Sequence, residues 1–161
     1  RTYSQYRQRV EAPRGLRVIG NGPLSSQVLE VEGTEWRGFV APEQLPPFLA
    51  QSWAFVLPSE REPWGVALHE AAASGLPLIA TNACGASDAF VVPSRNGWIL
   101  PSRSSSALLS ALMAAHSLSR ADRQLMADQS QSLSRRYTPE NWAKTVIDIA
   151  SHVPSQWRCA P

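Results

Sequence analysis

The sequence is poor in cysteine and in long apolar runs, and each shortage excludes a class of protein. Only two cysteines occur in 161 residues, Cys84 and Cys159, so we expect neither a disulfide framework nor a zinc site. No apolar run approaches the roughly 20 residues needed to cross a bilayer, and no charged-then-apolar leader starts the chain. We therefore expect two free thiols in a protein of the reducing cytoplasm.

Lysine is also scarce, because the basic residues are fourteen arginines and a single Lys144, and the net charge is only +2. This balance does not predict a nucleic-acid-binding surface. Five arginines crowd the first 17 residues, where Tyr3, Tyr6 and Val10 recur at helical spacing. We interpret these arginines as the solvated face of an amphipathic helix. Peripheral contact with anionic lipid at the inner face of the membrane, or with a phosphorylated substrate, is the alternative.

The composition predicts one globular domain. Hydrophobic residues make up 43% of the chain and charged residues 17%, which is enough to bury one core. We predict that this domain covers residues 1–150. Residues 151–161 are polar and contain proline, which is typical of a frayed tail.

The middle of the chain has the pattern of a βαβ unit. Residues 53–57 form a short apolar run that is closed by Pro58, as expected of a buried strand. Apolar positions then recur from Val66 to residue 73, and Gly75 can end this helix in a left-handed conformation. Leu76 and Pro77 introduce the next strand.

The loop of this unit combines an anion-binding backbone with two carboxylates. The first amides of a helix are unpaired and the helix dipole adds positive charge, so a diphosphate fits beside Gly65 and Val66. Glu62 lies in the loop and Glu70 in the helix, and a carboxylate suits a vicinal diol of a ribose or another sugar. By spacing alone, two solvated surface glutamates are the other interpretation.

The pattern resembles a known family. Glu-Pro-Trp-Gly at residues 62–65, followed by Glu70 and by Gly-Leu-Pro at residues 75–77, is similar to the donor-binding half of GT-B retaining glycosyltransferases of the group 1, family 4 type. The strand at residues 77–80, the Gly-Ala-Ser-Asp loop at residues 85–88 and the strand at residues 96–100 follow in the same order. The resemblance implies an α/β, Rossmann-like three-layer domain with a mostly parallel sheet of about six strands, the C-terminal half of a GT-B fold.

The resemblance also implies roles for individual residues. Glu62 would contact the transferred sugar as the catalytic residue, Glu70 would hold the ribose, and backbone amides at residues 65 and 66 would hold the diphosphate. The base would meet main-chain groups at the end of a strand over residues 34–40, and the amides of the loop at residues 84–86 would contact the sugar. The donor-binding residues implied in this way are Gly38, Phe39, Val40, Trp64, Gly65, Val66, Glu70, Gly85 and Ala86.

For the function, the resemblance implies transfer of a sugar from a nucleoside diphosphate sugar to an acceptor with retention. Synthesis of a bacterial surface polysaccharide or glycoconjugate, with a polysaccharide or lipid-linked acceptor, is the implied setting. No cofactor or metal is expected, since Asp-x-Asp, a spacing that holds a divalent ion in other glycosyltransferases, does not occur. An acceptor domain and a first strand with two cations are expected ahead of residue 1, so this chain alone should be inactive. A nucleotide-sugar epimerase and a non-catalytic nucleotide-binding domain are the alternatives.

The remaining predictions concern helices and their caps. Serines at 104–106 can cap a helix over residues 107–113, and another helix is expected over residues 121–135. Thr138 and Pro139 are expected to open a last helix. We predict that Asp88 caps a short helix and that His69 lies on a helix surface.

Overall fold

The computed structural model describes residues 1–152 and has an α/β architecture in which strands and helices alternate. The strands in this range are β1 (Leu16–Val18), β2 (Thr34–Trp36), β3 (Phe55–Leu57), β4 (Leu78–Thr81) and β5 (Gly97–Leu100). The α-helices are α1 (Thr2–Arg9), α2 (Ser25–Leu29), α3 (Leu45–Ala50), α4 (Val66–Ala73), α5 (Ser87–Phe90), α6 (Ser105–His116), α7 (Arg120–Ser134) and α8 (Pro139–Ser151).

All strand pairs among the described residues are parallel, but they form two separate hydrogen-bonded sheets. Strands β1 and β2 pair with each other, and β4 pairs with β3 on one side and β5 on the other. The predicted single sheet of about six strands is therefore wrong in its strand number, which is five here. The predicted strand over residues 34–40 is also shorter than expected and ends at Trp36, two residues before Gly38 takes a left-handed φ of 65°.

Helices cover both faces of the three-stranded sheet, which gives the predicted layered fold. On one face, Leu78 and Ala80 pack with Leu68 of α4 and Phe90 of α5. On the other face, Ile79 packs with residues of α6. All four residues of β4 are buried, as expected of a central parallel strand.

Side-chain caps hold the helices of the second half. Ser104, Ser119 and Thr138 each accept a hydrogen bond from the amide of the residue three positions later, at the start of α6, α7 and α8. The predicted caps at the serine run and at Thr138 are therefore confirmed. Asp88 is a correction, because the short helix α5 begins after Ala86 and Asp88 lies exposed in its first turn.

The first helix is amphipathic as predicted. Tyr6 is buried against α6, where its hydroxyl lies 2.8 Å from Nδ1 of His116. Arg7, on the outer side, forms an ion pair with Glu32 at 2.6 Å. At least one of the crowded arginines is therefore held by an acidic side chain of the protein.

The last helix differs from the others because every one of its residues is exposed. Trp142 is 70% exposed, and Ile147 and Ile149 are exposed to a similar degree. The helix continues to Ser151, so the predicted domain end at residue 150 falls within its last turn; the remainder of the predicted tail, with Cys159, lies outside the described residues. None of the described helices is long and apolar enough to span a bilayer.

Candidate functional site

The site is built around the start of α4, where the chain turns sharply after β3. Gly65 is buried at the N-cap with φ 101° and ψ 64°, a left-handed conformation that favours glycine. A Cβ atom at this position would lie 2.6 Å from Sγ of Cys84, which is too close for a side chain. The glycine of the Glu-Pro-Trp-Gly pattern is thus required by both its backbone angles and its surroundings.

The start of α4 offers unpaired backbone donors. The first amide that bonds inside the turn is that of Leu68, which donates to the carbonyl of Gly65 at 2.9 Å. Among the described residues, the amides of Gly65, Val66 and Ala67 have no hydrogen-bond acceptor. Val66 is 62% exposed, so the first residue of the helix faces solvent. Free amides at the positive end of a helix dipole favour an anion such as a phosphate.

Both glutamates stand at this helix start without a cationic partner. Glu62 and Glu70 are half-buried, and neither side chain takes part in an ion pair or hydrogen bond with a described residue. The described ion pairs use the carboxylates of Glu32, Glu35 and Glu60 instead. The two carboxylates at the helix are therefore available as acceptors for hydroxyl groups of a ligand.

The loop of residues 83–86 is hydrogen-bonded to the loop of residues 62–64, and we call this set of bonds the clamp. The amide of Glu62 donates to the carbonyl of Ala83 at 3.0 Å, and the amide of Gly85 donates back to the carbonyl of Glu62 at 3.1 Å. The carbonyl of Trp64 accepts two hydrogen bonds, from the amide of Ala86 at 2.7 Å and from the thiol of Cys84 at 3.0 Å. These bonds hold the loop that carries Glu62 against the loop that follows β4.

The clamp corrects one part of the predicted site. The amides of Cys84, Gly85 and Ala86 were expected to contact the sugar, but all three already donate to carbonyls of the protein. The amides of Gly85 and Ala86 hold the loop that carries Glu62, whereas that of Cys84 donates to the carbonyl of Thr81 at the end of β4. Cys84 itself is a buried free thiol, as predicted. Burial is the main cause that raises the pKa of this thiol, and the nearby Glu62 carboxylate raises it further.

The predicted base-binding segment lies at the carboxyl end of β2. The carbonyl of Gly38 accepts a hydrogen bond from the amide of Gly20 at 2.7 Å, which ties it to the end of β1. Phe39 and Val40 lie outside the strand, and Phe39 is 75% exposed. Neither residue's main chain has a hydrogen-bond partner among the described residues, so both leave free donors and acceptors at this edge.

The sequence did not indicate a cluster of four rings beside α4. His69 stacks on the buried Phe90 with 4.5 Å between ring centroids and 10° between planes, so the predicted surface residue is instead half-buried. Tyr137 and Trp64 complete the cluster, with centroids 4.9 and 6.3 Å from that of Phe90. Tyr137 is too far from Trp64 along the chain for local periodicity to have paired them.

A cavity of about 570 Å³ opens at the carboxyl ends of β3, β4 and β5, but it does not contain this site. Thr81, Leu100 and Arg103 are among its lining residues, whereas Glu62, Gly65 and Glu70 are not. Within residues 1–152, no group of three or more histidine, cysteine or acidic side chains is placed to hold a metal ion.

Several solved proteins share this fold. Sucrose-phosphate synthase from Thermosynechococcus elongatus aligns with 93% of this chain and 40% of its own, at 21% identity and a TM-score of 0.73. HepE of Anabaena, in complex with UDP and glucose, aligns with 94% of this chain and 44% of its own, at 19% identity and a TM-score of 0.76. WaaG, a glycosyltransferase involved in lipopolysaccharide biosynthesis, aligns with 94% of this chain and 51% of its own, at 15% identity and a TM-score of 0.67.

This chain therefore spans about half the length of these structures or less, and the likeness confirms the Rossmann-like α/β architecture of a GT-B half. No curated protein sequence matches the chain significantly. The family model for glycosyl transferases group 1 matches residues 2–117, a range that includes the whole α4 site and both of its glutamates. The chain belongs to the group 1 glycosyl transferases.

Proposed function

We propose that this chain binds a nucleoside diphosphate sugar and is the donor-binding domain of a longer enzyme that transfers the sugar to an acceptor. The observation that carries this proposal is the start of α4, where three unpaired amides lie between two half-buried carboxylates that have no protein partner among the described residues. A diphosphate needs donors and a sugar needs acceptors. The site supplies both between residue 62 and the second turn of α4.

Each group then has a distinct role. The amides of Gly65 and Val66 hold the diphosphate, Glu70 binds the ribose hydroxyls, and Glu62 binds the transferred sugar. The free main-chain groups of Phe39 and Val40, next to Gly38, accept the nucleobase. Main-chain groups do not depend on which side chain a residue carries, so the sequence of this segment does not indicate which base binds. The choice among uracil, guanine and adenine depends on the detailed shape of the site.

The chemistry proposed for the whole enzyme is transfer with retention at the anomeric carbon. As the bond to the sugar breaks, negative charge grows on the leaving diphosphate, and donors already fixed at the helix start stabilise it without rearranging. The diphosphate receives the proton of the acceptor hydroxyl on the same face of the sugar. No step in this scheme uses a metal ion.

The acceptor and the cellular setting are also proposals. We place the acceptor on a separate domain, since a second domain would close the α4 site against water. A surface polysaccharide or a lipid-linked glycan, made in the cytoplasm at the inner face of the membrane, is the proposed product class.

A titration followed by amide chemical shifts tests donor binding directly. UDP, GDP and ADP, each with and without a hexose, are added in turn to the chain. We expect one base to shift the amides of Gly38, Gly65 and Glu70 together. The opposite result is that no ligand moves these amides, or that shifts concentrate on Thr81 and Arg103 at the separate cavity.

A further inference from the structure

The aromatic cluster lies beside the loop of residues 62–65, which we call the donor loop. It has a buried part and an exposed part. Phe90 is fully buried, and His69 lies flat against it, with its Nε2 atom 3.4 Å from the carbonyl of Ser134. Above them, the rings of Trp64 and Tyr137 lie side by side, with centroids 6.4 Å apart and 57° between planes. The inner pair therefore forms a fixed base for the outer pair.

The rings of the outer pair are only partly covered by other residues of the protein. Trp64 is 44% exposed and Tyr137 is 45% exposed. The indole nitrogen of Trp64 and the hydroxyl of Tyr137 make no hydrogen bond with any residue in the described part of the chain. A pair that served only to close the core would present its polar atoms and half of its ring surface to solvent without benefit.

The position of the pair links it to the donor loop. Trp64 stands between Glu62, the proposed sugar contact, and Gly65, whose amide is proposed to hold the diphosphate. Its main-chain carbonyl accepts hydrogen bonds from Cys84 and Ala86, which fixes the backbone from which the ring projects. Tyr137 follows α7 and reaches this loop from the opposite direction.

We propose that Trp64 and Tyr137 form an aromatic wall that packs against the ring of the transferred sugar. A pyranose ring has an apolar face of C–H groups, which are attracted to the electron-rich face of an aromatic ring. The free indole nitrogen and phenol hydroxyl can bond to the hydroxyls at the rim of the same sugar. Tyr137 is thus a specificity-determining residue for the donor sugar, an inference that rests on the proposed function.

The test compares two affinities in each variant: that for the nucleoside diphosphate and that for its hexose conjugate. The base is the one identified by the titration. Tyr137→Ala removes the ring, Tyr137→Leu keeps apolar volume over Phe90 but removes the aromatic face, and Tyr137→Phe removes only the hydroxyl. Trp142→Ala is the matched control, because Trp142 is 70% exposed and lies on α8 away from the cluster.

We expect Tyr137→Ala and Tyr137→Leu to weaken binding of the sugar conjugate about five- to tenfold while leaving the nucleoside diphosphate unchanged. Tyr137→Phe should retain most of the affinity, and Trp142→Ala should retain all of it. If Tyr137→Leu binds both ligands like the unmodified chain, or loses both equally, the aromatic wall is wrong although the proposed function stands. If the unmodified chain binds no nucleotide or nucleotide sugar, both proposals fail.

Discussion

The two sheets differ in how they are stabilised. Strand β4, in the three-stranded sheet, is buried at all four positions, and apolar side chains pack on both of its faces. In the two-stranded sheet, every residue of β1 and β2 is only half-buried. This second sheet depends on polar contacts, such as the ion pair between Arg17 and Glu35 at 2.7 Å and the bond from the indole of Trp36 to the carbonyl of Gly20 at 2.9 Å.

The comparison separates two requirements of a donor site. In the proposed function, the amides and carboxylates at α4 must be held in fixed positions to act on the diphosphate and sugar, and a buried sheet with a clamped loop suits this. The proposed base-binding segment at residues 38–40 needs only exposed main-chain groups. We therefore expect the three-stranded sheet to dominate stability and the two-stranded sheet to open locally at lower cost.

The strongest way to break this comparison is to disturb β5. A Cβ atom at Gly97 would collide with the backbone carbonyl of Leu78 in the neighbouring strand. Gly97→Ala should therefore lower the free energy of unfolding by about 3 kcal/mol, measured by urea denaturation. Gly22→Ala, in the loop after β1 where the Cβ would meet nothing within 4 Å, is the control and should stay within about 0.5 kcal/mol. Equal effects would mean that the two sheets are equally constrained.

A smaller loss is expected from the buried polar network behind β4. Asn96 is fully buried; its side chain donates to the carbonyl of Phe90 and to the hydroxyl of Ser130, and it accepts from the amide of Val92. Asn96→Ala leaves these groups without partners and should cost about 2 kcal/mol of unfolding free energy. The exposed Asn21→Ala is the control, with an expected change below about 0.5 kcal/mol. A negligible cost for Asn96→Ala would contradict the expectation that the three-stranded sheet dominates stability.

The thiol of Cys84 allows the stability of the three-stranded sheet to be tested through its dependence on pH. Because burial raises its pKa in the folded chain, the folded state keeps this proton at a pH where the unfolded state has lost it. The stability contribution is therefore complete below the ordinary thiol pKa and is lost as pH rises through the folded value. Unfolding measured from pH 7 to 10 should show a steeper decline for the unmodified chain than for Cys84→Ala. Parallel curves would mean that the clamp does not exclude water from the thiol.

The smallest expected effect on stability comes from Glu35 in the two-stranded sheet. Its dependence on pH is opposite in sign to that of Cys84. The hydrogen bond from Arg17, and then that from Arg37, holds the pKa of Glu35 below its ordinary value. This stabilisation is present above the ordinary glutamate pKa and is lost as pH falls through the folded value. A carboxyl NMR titration should show the lowered pKa, and Arg17→Gln should move it back towards the ordinary value. No movement would exclude Arg17 as the main cause.

Local patterns in the sequence predicted the elements well. The apolar run before Pro58, the glycine at residue 65 and the caps at Ser104 and Thr138 all lie where short-range rules place them. These features depend on neighbouring residues only. They predicted the strand, loop and helix around Gly65, whereas the fold class followed from the family resemblance.

Long-range contacts could not be predicted in the same way. The use of the Gly85 and Ala86 amides by the donor loop depends on how two loops meet in space. The burial of His69 depends on Phe90, which comes from a different helix. The split of the strands into two sheets likewise depends on which edges meet, and hydrophobic pattern does not specify this.

The central claim is that Glu62 and Glu70 bind different parts of one donor, and a pair of variants tests it most directly. Affinities for the nucleoside diphosphate and for its hexose conjugate are measured for Glu62→Gln, Glu70→Gln and the exposed control Glu43→Gln. We predict that Glu70→Gln weakens both ligands about tenfold, that Glu62→Gln weakens only the conjugate, and that Glu43→Gln changes neither. Equal losses for both ligands in both site variants would contradict the account.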